Sequence, residues 1–340
     1  MKALNLKQYG LLLVIISGLT LYASVLNAAE GKISGTIDYS IPGWFKDSFL
    51  EISEDIKEAS NDSKHVMLFM HLEGCPYCAR MLNENFRQGK RKEFIQTDFD
   101  VIAINIRGDR EVTWDQQTKY IEKSLARELK VHFTPTIVLL NAKGQKVLQL
   151  NGYRKPEALK QALEYVRDRR YLKIRFADYI KQKNTPLYRL RSNASFSKMT
   201  DFSKYKGPLA IIFEDKMCAG CDEFHEKVLN HIDVRKETEK IKLVRLDAYS
   251  DVPVIDINGN KTTAKQWAER LKLDYRPGTV LFDGGEEITR ADGRLYHFHY
   301  KELLRYVSGG HYFEYPGYNQ YLNVRQKQLT KSGVDIDLGL

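Results

Sequence analysis

The sequence predicts a two-domain α/β protein made by tandem duplication of one unit. Three observations predict it. First, an apolar run, Val66-Met67-Leu68-Phe69-Met70, leads into His71-Leu72-Glu73-Gly74-Cys75-Pro76-Tyr77-Cys78, and the amphipathic stretch Met81-Leu82-Asn83-Glu84-Asn85-Phe86 leads out, which reads as strand, tight turn, Cys-x-x-Cys, helix. Second, Leu209-Ala210-Ile211-Ile212-Phe213-Glu214-Asp215-Lys216-Met217-Cys218-Ala219-Gly220-Cys221 copies that stretch. Third, the copy keeps its register: Cys75 and Cys218 are 143 apart, Pro135 and Pro277 142, Ala126 and Ala268 142, Gly152 and Gly293 141, and Tyr165-Val166 and Tyr306-Val307 141. A near-constant offset over a whole unit marks an internal repeat, and 340 residues suit about two domains.

The elements follow in order. Met1 to Ala29 reads as a secretory signal peptide, with an uncleaved N-terminal anchor as the alternative. Lys2 and Lys7 supply the positive start, Leu11 to Leu26 the apolar run and Ala28-Ala29 the small residues. The folded part is therefore expected to be periplasmic or otherwise exported. The first domain, 32–183, should open with a helix carrying Phe45, Phe49, Ile52 and Ile56 at helical spacing. The strand and the Cys75 helix follow, then a buried strand at Val101-Ile102-Ala103-Ile104 and a helix marked by Ile121, Leu125 and Leu129. Pro135 stands just ahead of an apolar strand, where a trans proline would disturb the ladder, so the Thr134–Pro135 peptide is expected to be cis. Ala142-Lys143-Gly144 turns the chain into the strand Val147–Leu150. A helix from Pro156 to Arg170 closes the unit, with Leu159, Leu163 and Val166 inward. A helical extension runs to about Lys183, and residues 184–204 connect to the second domain, 205–325. The tail, 326–340, reads as loosely ordered. The tyrosines Tyr312, Tyr315, Tyr318 and Tyr321 are expected to pack the end of the chain onto the second domain.

All four cysteines lie in the two motifs. A structural framework spreads cysteines to staple distant segments, whereas vicinal pairs close only tiny loops, so these read as redox dithiols. Cys75 at a helix N-terminus would favour the thiolate, since free thiols titrate at about 8.5 and such positions lower that. Cys78, three residues on, shares its face and can close a disulfide. Pro76 suits the first helical position, where a missing N–H costs nothing. Cys218, Cys221 and His225 make C-x2-C-x3-H, which a soft metal could use. A lone histidine on a charged helix is ordinarily a surface residue, and His71 and Glu73 likewise read as a strand residue and a solvated loop carboxylate. The net charge is +9 with basic residues spread along the chain, and without an arginine-rich arm or basic–aromatic alternation this argues against a nucleic-acid partner. No phosphate loop, serine triad or paired-carboxylate signature occurs.

With strand-Cys-x-x-Cys-helix followed some sixty residues later by Thr134-Pro135-Thr136 before an apolar strand, the chain resembles the thioredoxin fold in both halves. Leu125-Ala126, Val131, Gly152, Tyr165-Val166 and, in the second half, Ala268-Glu269-Arg270-Leu271, Arg290, Gly293 and Tyr306-Val307 resemble exported thioredoxins of the SoxW type. The resemblance implies two tandem thioredoxin-like domains, each a central mixed sheet flanked by helices. It implies Cys75 and Cys218 as attacking cysteines, Cys78 and Cys221 as resolving cysteines, and Pro135 and Pro277 as cis-prolines beside the dithiols. It places Thr134 and Arg276 against the cysteines, where Arg276, a permanent cation, is expected to offset Glu214, Asp215, Asp222 and Glu223 and to favour a Cys218 thiolate. The chain departs from the pattern at several places. Gly74 and Met217 stand where ordinary thioredoxins have Trp, Phe69 and Ile212 where they have a buried carboxylate, and Arg276-Pro277-Gly278 replaces Thr-Pro-Thr. The implied activity is thiol–disulfide exchange with protein substrates and a redox partner protein, needing no cofactor beyond the dithiols. The alternatives are a metal-binding delivery module and a scaffold whose second domain is a docking surface.

Overall fold

The computed structural model describes residues 29–338 except 88, 116 and 294, so the segment read as a signal peptide or anchor lies almost wholly outside the described residues. Among those described, no helix is long and apolar enough to cross a membrane. Each half folds as an α/β unit around a four-stranded mixed sheet. In the first the strand order is Phe99–Asn105, His65–His71, Thr136–Leu140, Lys146–Asn151. The first pair is parallel and the other two pairings are antiparallel. The second repeats it as Lys242–Asp247, Leu209–Glu214, Gly278–Asp283, Glu286–Ala291, again parallel then antiparallel.

The central strands are apolar throughout because both faces are covered. Side chains of a strand alternate between faces, so Met67 and Phe69 join one core with Leu159, Leu163 and Val166 of the helix Pro156–Arg167, while Val66, Leu68 and Met70 join the other with Ile52 and Ile56. In the second domain Ala210 and Ile212 pack under the helix His297–Ser308 and Leu209, Ile211 and Phe213 against Trp267.

Two expectations are corrected. The first helix is Ile52–Asn61 and does not reach back to Phe45. Ser48 interrupts it: its hydroxyl accepts the Leu50 N–H at 2.8 Å and donates to Asp55 at 2.6 Å, with Leu50 at positive φ. Phe45 still enters the core, but Phe49 is 97% exposed. The tail is not loose. The helix Tyr318–Lys331 carries through it, and Ile336–Asp337 then pairs in parallel with Ile33–Ser34. Ile336 and Leu338 are buried in the second core together with Tyr318 and Tyr321, against which Tyr312 and Tyr315 pack.

The domains pack with equivalent parts of the repeat facing each other. Gly152 and Gly293 meet: a Cβ at Gly293 would collide with the Asn151 carbonyl. The residues two positions before each proline, Phe133 and Tyr275, also cross over. Phe133 lies in the second domain's core, 5.5 Å from the Tyr318 ring, and Tyr275 lies under the Arg154 guanidinium at 3.9 Å. In return Tyr296 enters the first domain's core. The arrangement has the self-complementary character of a two-fold interface, here within one chain.

Truncating a buried isoleucine removes transfer energy and leaves a cavity, at a cost of ~2–5 kcal/mol. Ile336→Ala should lower the unfolding free energy by that order, read as a shift of the urea midpoint, whereas a tail without a docked role would leave the midpoint unchanged.

Candidate functional site

The first dithiol sits where strand His65–His71 turns into helix Pro76–Met81. Gly74 makes the turn at φ 69°, and Pro76 occupies the first helical position. Cys75 is the N-cap residue, and its Sγ accepts the Cys78 backbone N–H at 3.1 Å. Cys75 and Cys78 are joined as a disulfide with Cα atoms 5.3 Å apart. The Thr134–Pro135 peptide is cis, and the Thr134 hydroxyl donates to Cys75 Sγ at 3.3 Å. Two donors therefore converge on one sulfur, and both would stabilise it as a thiolate. Cys75 keeps 6% exposure and Cys78 none.

Tyr77, between the cysteines, is buried against the second domain. Its ring stacks on Tyr296 at 4.7 Å and 11°, and its hydroxyl donates to the Leu338 carbonyl at 2.7 Å. The N-terminal arm crosses the same loop: Ile37 N–H donates to the Gly74 carbonyl, and Tyr39 O–H donates to Leu72 O at 2.7 Å while lying 2.9 Å from His71 Nδ1. Burial pulls the His71 imidazole down to about 4, so it is neutral near pH 7.

The second dithiol, Cys218–Cys221, is also a disulfide, with Cα atoms 5.5 Å apart and 3% and 0% exposure. Its helix starts differently. The N-cap is Gly220 and the first helical residue is Cys221, because Ala219-Gly220 lacks the proline that fixes the first turn. Cys218 therefore lies two residues ahead of the N-cap, outside the helix. Both motif helices then widen into a π-helical turn, at Leu82–Phe86 and Phe224–Leu229, a feature that tends to accompany functional sites and has no sequence signature here.

Arg276–Pro277 is cis like its counterpart. Arg276 points inward, and its Nε donates to Asp215 at 2.8 Å while a terminal nitrogen serves the Leu273 and Tyr275 carbonyls. The expected neutralisation of acidic residues thus takes place at Asp215, three residues before Cys218. Burial pushes the Asp215 carboxyl up, and Arg276 pulls it partly back. The other expected acids lie apart from this pair. Asp222 meets Arg191, and Glu223 pairs with Lys227. Glu214 is fully buried, accepts the Tyr188 hydroxyl at 3.0 Å and bonds His225 Nε2 at 2.7 Å.

His225 is therefore not a surface histidine: it is 3% exposed and its Nε2 is engaged by Glu214. Among the described residues no group of three or more His, Cys, Asp and Glu side chains is disposed to hold a metal ion. Sequence reasoning missed Tyr188, which comes from the connecting segment. The Leu187 and Tyr188 N–H groups donate to the Lys216 carbonyl, and Tyr188 forms one buried cluster with Cys218 and Cys221.

Removing one partner of a buried ion pair costs ~3–5 kcal/mol, because the other charge is left unpaired. Arg276→Thr should destabilise the protein by that order near pH 7. The Asp215 carboxyl then rises further above its unfolded value of about 3.9. Stability is lost as pH climbs from about 4 through the folded-state value, so the deficit shrinks toward pH 4. Urea unfolding at a series of pH values measures it. A deficit independent of pH would mean that Asp215 is not left charged.

No curated protein matches the chain. Solved structures similar to one half of it include a thioredoxin-fold protein from Helicobacter pylori, 24% identical over 36% of this chain and 80% of that one, TM-score 0.32. A thioredoxin from Thermus thermophilus is 24% identical over 34% and 83%, TM-score 0.29. A disulphide isomerase from Xylella fastidiosa Temecula1 is 17% identical over 40% and 96%, TM-score 0.25. A family profile described as a thioredoxin-like domain matches residues 52–167 and again 196–308. These two matches span most of the chain, fall on the two units that carry the dithiols, and identify the protein as a tandem member of the thioredoxin-like family.

Proposed function

We propose that the protein is an exported thiol–disulfide oxidoreductase that exchanges disulfides with protein substrates through Cys75. The observation that carries this reading is the pair of donors, the Cys78 N–H and the Thr134 hydroxyl, converging on Cys75 Sγ at a helix N-terminus. In the reduced protein these donors and the helix dipole lower the thiol's affinity for its proton. The Cys75 thiolate attacks a substrate disulfide and forms a mixed disulfide while one substrate thiolate leaves. Cys78 then attacks Cys75 Sγ, releasing the second substrate thiolate and closing the Cys75–Cys78 disulfide. Substrate is reduced and the dithiol oxidised, and the reverse sequence oxidises a dithiol substrate. Export rests on the apolar run behind Lys2 and Lys7 and on the likeness to SoxW-type thioredoxins. A redox partner protein would reset the dithiol.

Cys75→Ser should reduce exchange by the first domain to background. Cys78→Ser should accumulate mixed disulfides in extracts of the exporting compartment, visible on non-reducing gels and by mass spectrometry. Equal alkylation rates of Cys75 and Cys78 in the reduced protein would remove the assignment of roles.

Thr134→Val deletes one of the two donors while keeping shape. It should raise the Cys75 thiol pKa, seen as slower alkylation at pH 7 with convergence at alkaline pH, where the thiol ionises unaided.

A further inference from the structure

The turn after the first domain's closing helix carries a charge cluster that the exchange chemistry does not use. Residues 167–175 read Arg-Asp-Arg-Arg-Tyr-Leu-Lys-Ile-Arg, five cations and one acid in nine residues. The helix Pro156–Arg167 ends there, Arg169 reverses the chain at φ 49°, and Arg170–Leu172 form a single 3-10 turn. Leu172 ends that turn and is 72% exposed. Tyr171 anchors the turn, its ring edge-on to His65 at 6.2 Å. His65 begins the strand whose other end leads to Cys75. The cluster therefore lies at the opposite end of the sheet from the first dithiol, about 23 Å away along a seven-residue strand.

The duplication shows which of these features the turn requires. At the offset of 141 that relates Tyr165 to Tyr306, the second copy reads Ser-Gly-Gly-His-Tyr-Phe-Glu-Tyr-Pro over 308–316. The backbone is the same. Gly310 stands in place of Arg169 at φ 65°, and His311–Phe313 form the 3-10 turn. Tyr306 donates to the Tyr315 carbonyl at 2.6 Å, as Tyr165 does to the Ile174 carbonyl at 2.7 Å. The exposed apolar residue recurs as Phe313, 82% exposed. The cations do not recur: the copy has no Lys or Arg, and Glu314 stands in place of Lys173. The turn thus folds without the charges, and Arg169 holds a left-handed conformation that glycine adopts more easily. Part of the charge is taken up within the fold. Arg167 pairs with Asp168 and lies near Asp98, and Arg175 pairs with Asp178 and, across the domain boundary, with Glu269. Arg169, Arg170 and Lys173 are exposed and have no acidic partner among the described residues.

We infer that this turn is a docking site for an anionic phospholipid surface, with Arg169, Arg170 and Lys173 meeting lipid phosphates and Leu172 entering the acyl boundary. The cations alone would suit any acidic partner. An exposed aliphatic side chain with unpaired cations on both sides matches a surface that is anionic outside and apolar immediately beneath. Each signal alone is weak, and the two together hold a protein reversibly at a membrane. In this pose the Cys75 end of the strand His65–His71 lies distal to the lipid. The inference does not depend on the exchange reading above.

The test uses the full exported chain and vesicles of equimolar phosphatidylglycerol and phosphatidylcholine, or of phosphatidylcholine alone, read by co-sedimentation. Binding should be confined to the anionic vesicles and should fall with added salt. Arg169→Gln, Arg170→Gln and Lys173→Gln together should weaken it ~10²-fold, at roughly fivefold per cation. Leu172→Ser should weaken it about tenfold. Lys143→Gln, Lys204→Gln and Lys331→Gln neutralise three exposed lysines elsewhere and should leave binding nearly unchanged. An equal loss in that control would mean that net charge alone is at work, and overturns the inference. Leu172→Trp gives a local readout, since its emission should shift to the blue on anionic vesicles only. Should the apolar segment ahead of Glu30 be retained and bind every vesicle, this emission decides, and an unshifted spectrum overturns the inference. No binding to anionic vesicles overturns it as well, and retention on immobilised polyglutamate would then assign the turn to an acidic protein.

Discussion

The stack of Tyr77 on Tyr296 is the contact on which the arrangement of this molecule turns. Tyr77 belongs to the first redox motif and Tyr296 to the loop that enters the second domain's long helix, so a single aromatic pair couples one domain's chemistry to the other's packing. Offset-stacked rings are worth about 0.5–1.5 kcal/mol beyond their burial, a modest figure. Its position gives it leverage. Around it, Phe133 and Tyr275 carry the pre-proline loops of both domains into the interface, and Gly152 and Gly293 allow the backbones to touch. Both loops that flank a dithiol are thereby turned toward the other half of the same chain. Cys75 is 6% exposed beside this face, and Cys218 is 3% exposed beneath the connecting segment.

Duplication has produced two sites that share a plan and differ in electrostatics. The first places Cys75 at a proline-started helix, under two donors and four residues beyond a neutral histidine. The second leaves Cys218 outside the helix. It holds two acids in separate buried pairings, Asp215 with Arg276 and Glu214 with His225, and covers the pair with the connecting segment. Charge near a thiol shifts the balance between thiol and thiolate, so the two dithiols need not react at the same rate or with the same partners.

Much of this was legible in the sequence because it is local. Strand-turn-helix around each Cys-x-x-Cys, the prolines before the apolar strands and the closing helices are written in periodicities of two and 3.6, and the constant offset doubled every observation. The missed parts depend on individual side-chain contacts that no periodicity encodes. Phe45 and Phe49 carry a helical spacing, yet the Ser48 bonds to Leu50 and Asp55 outcompete it locally. Tyr39 and Tyr188 are 149 apart, outside the register of the other repeat pairs, so the repeat does not reveal them. His225 looked exposed on a charged helix because only the fold brings Glu214 beneath it. The tail looked polar, and its two anchors, Ile336 and Leu338, are too few to register as a pattern.

The parallel pairing of Ile33–Ser34 with Ile336–Asp337 brings the two ends of the described chain together, a short step from Gly74 and Tyr77. Anything joined at either end would therefore be delivered to the doorstep of the first dithiol, at a local concentration set by the length of the tether rather than by diffusion. A tether at the front would hold that face toward whatever anchors it, and a tag or fused domain at the back would start from the same face.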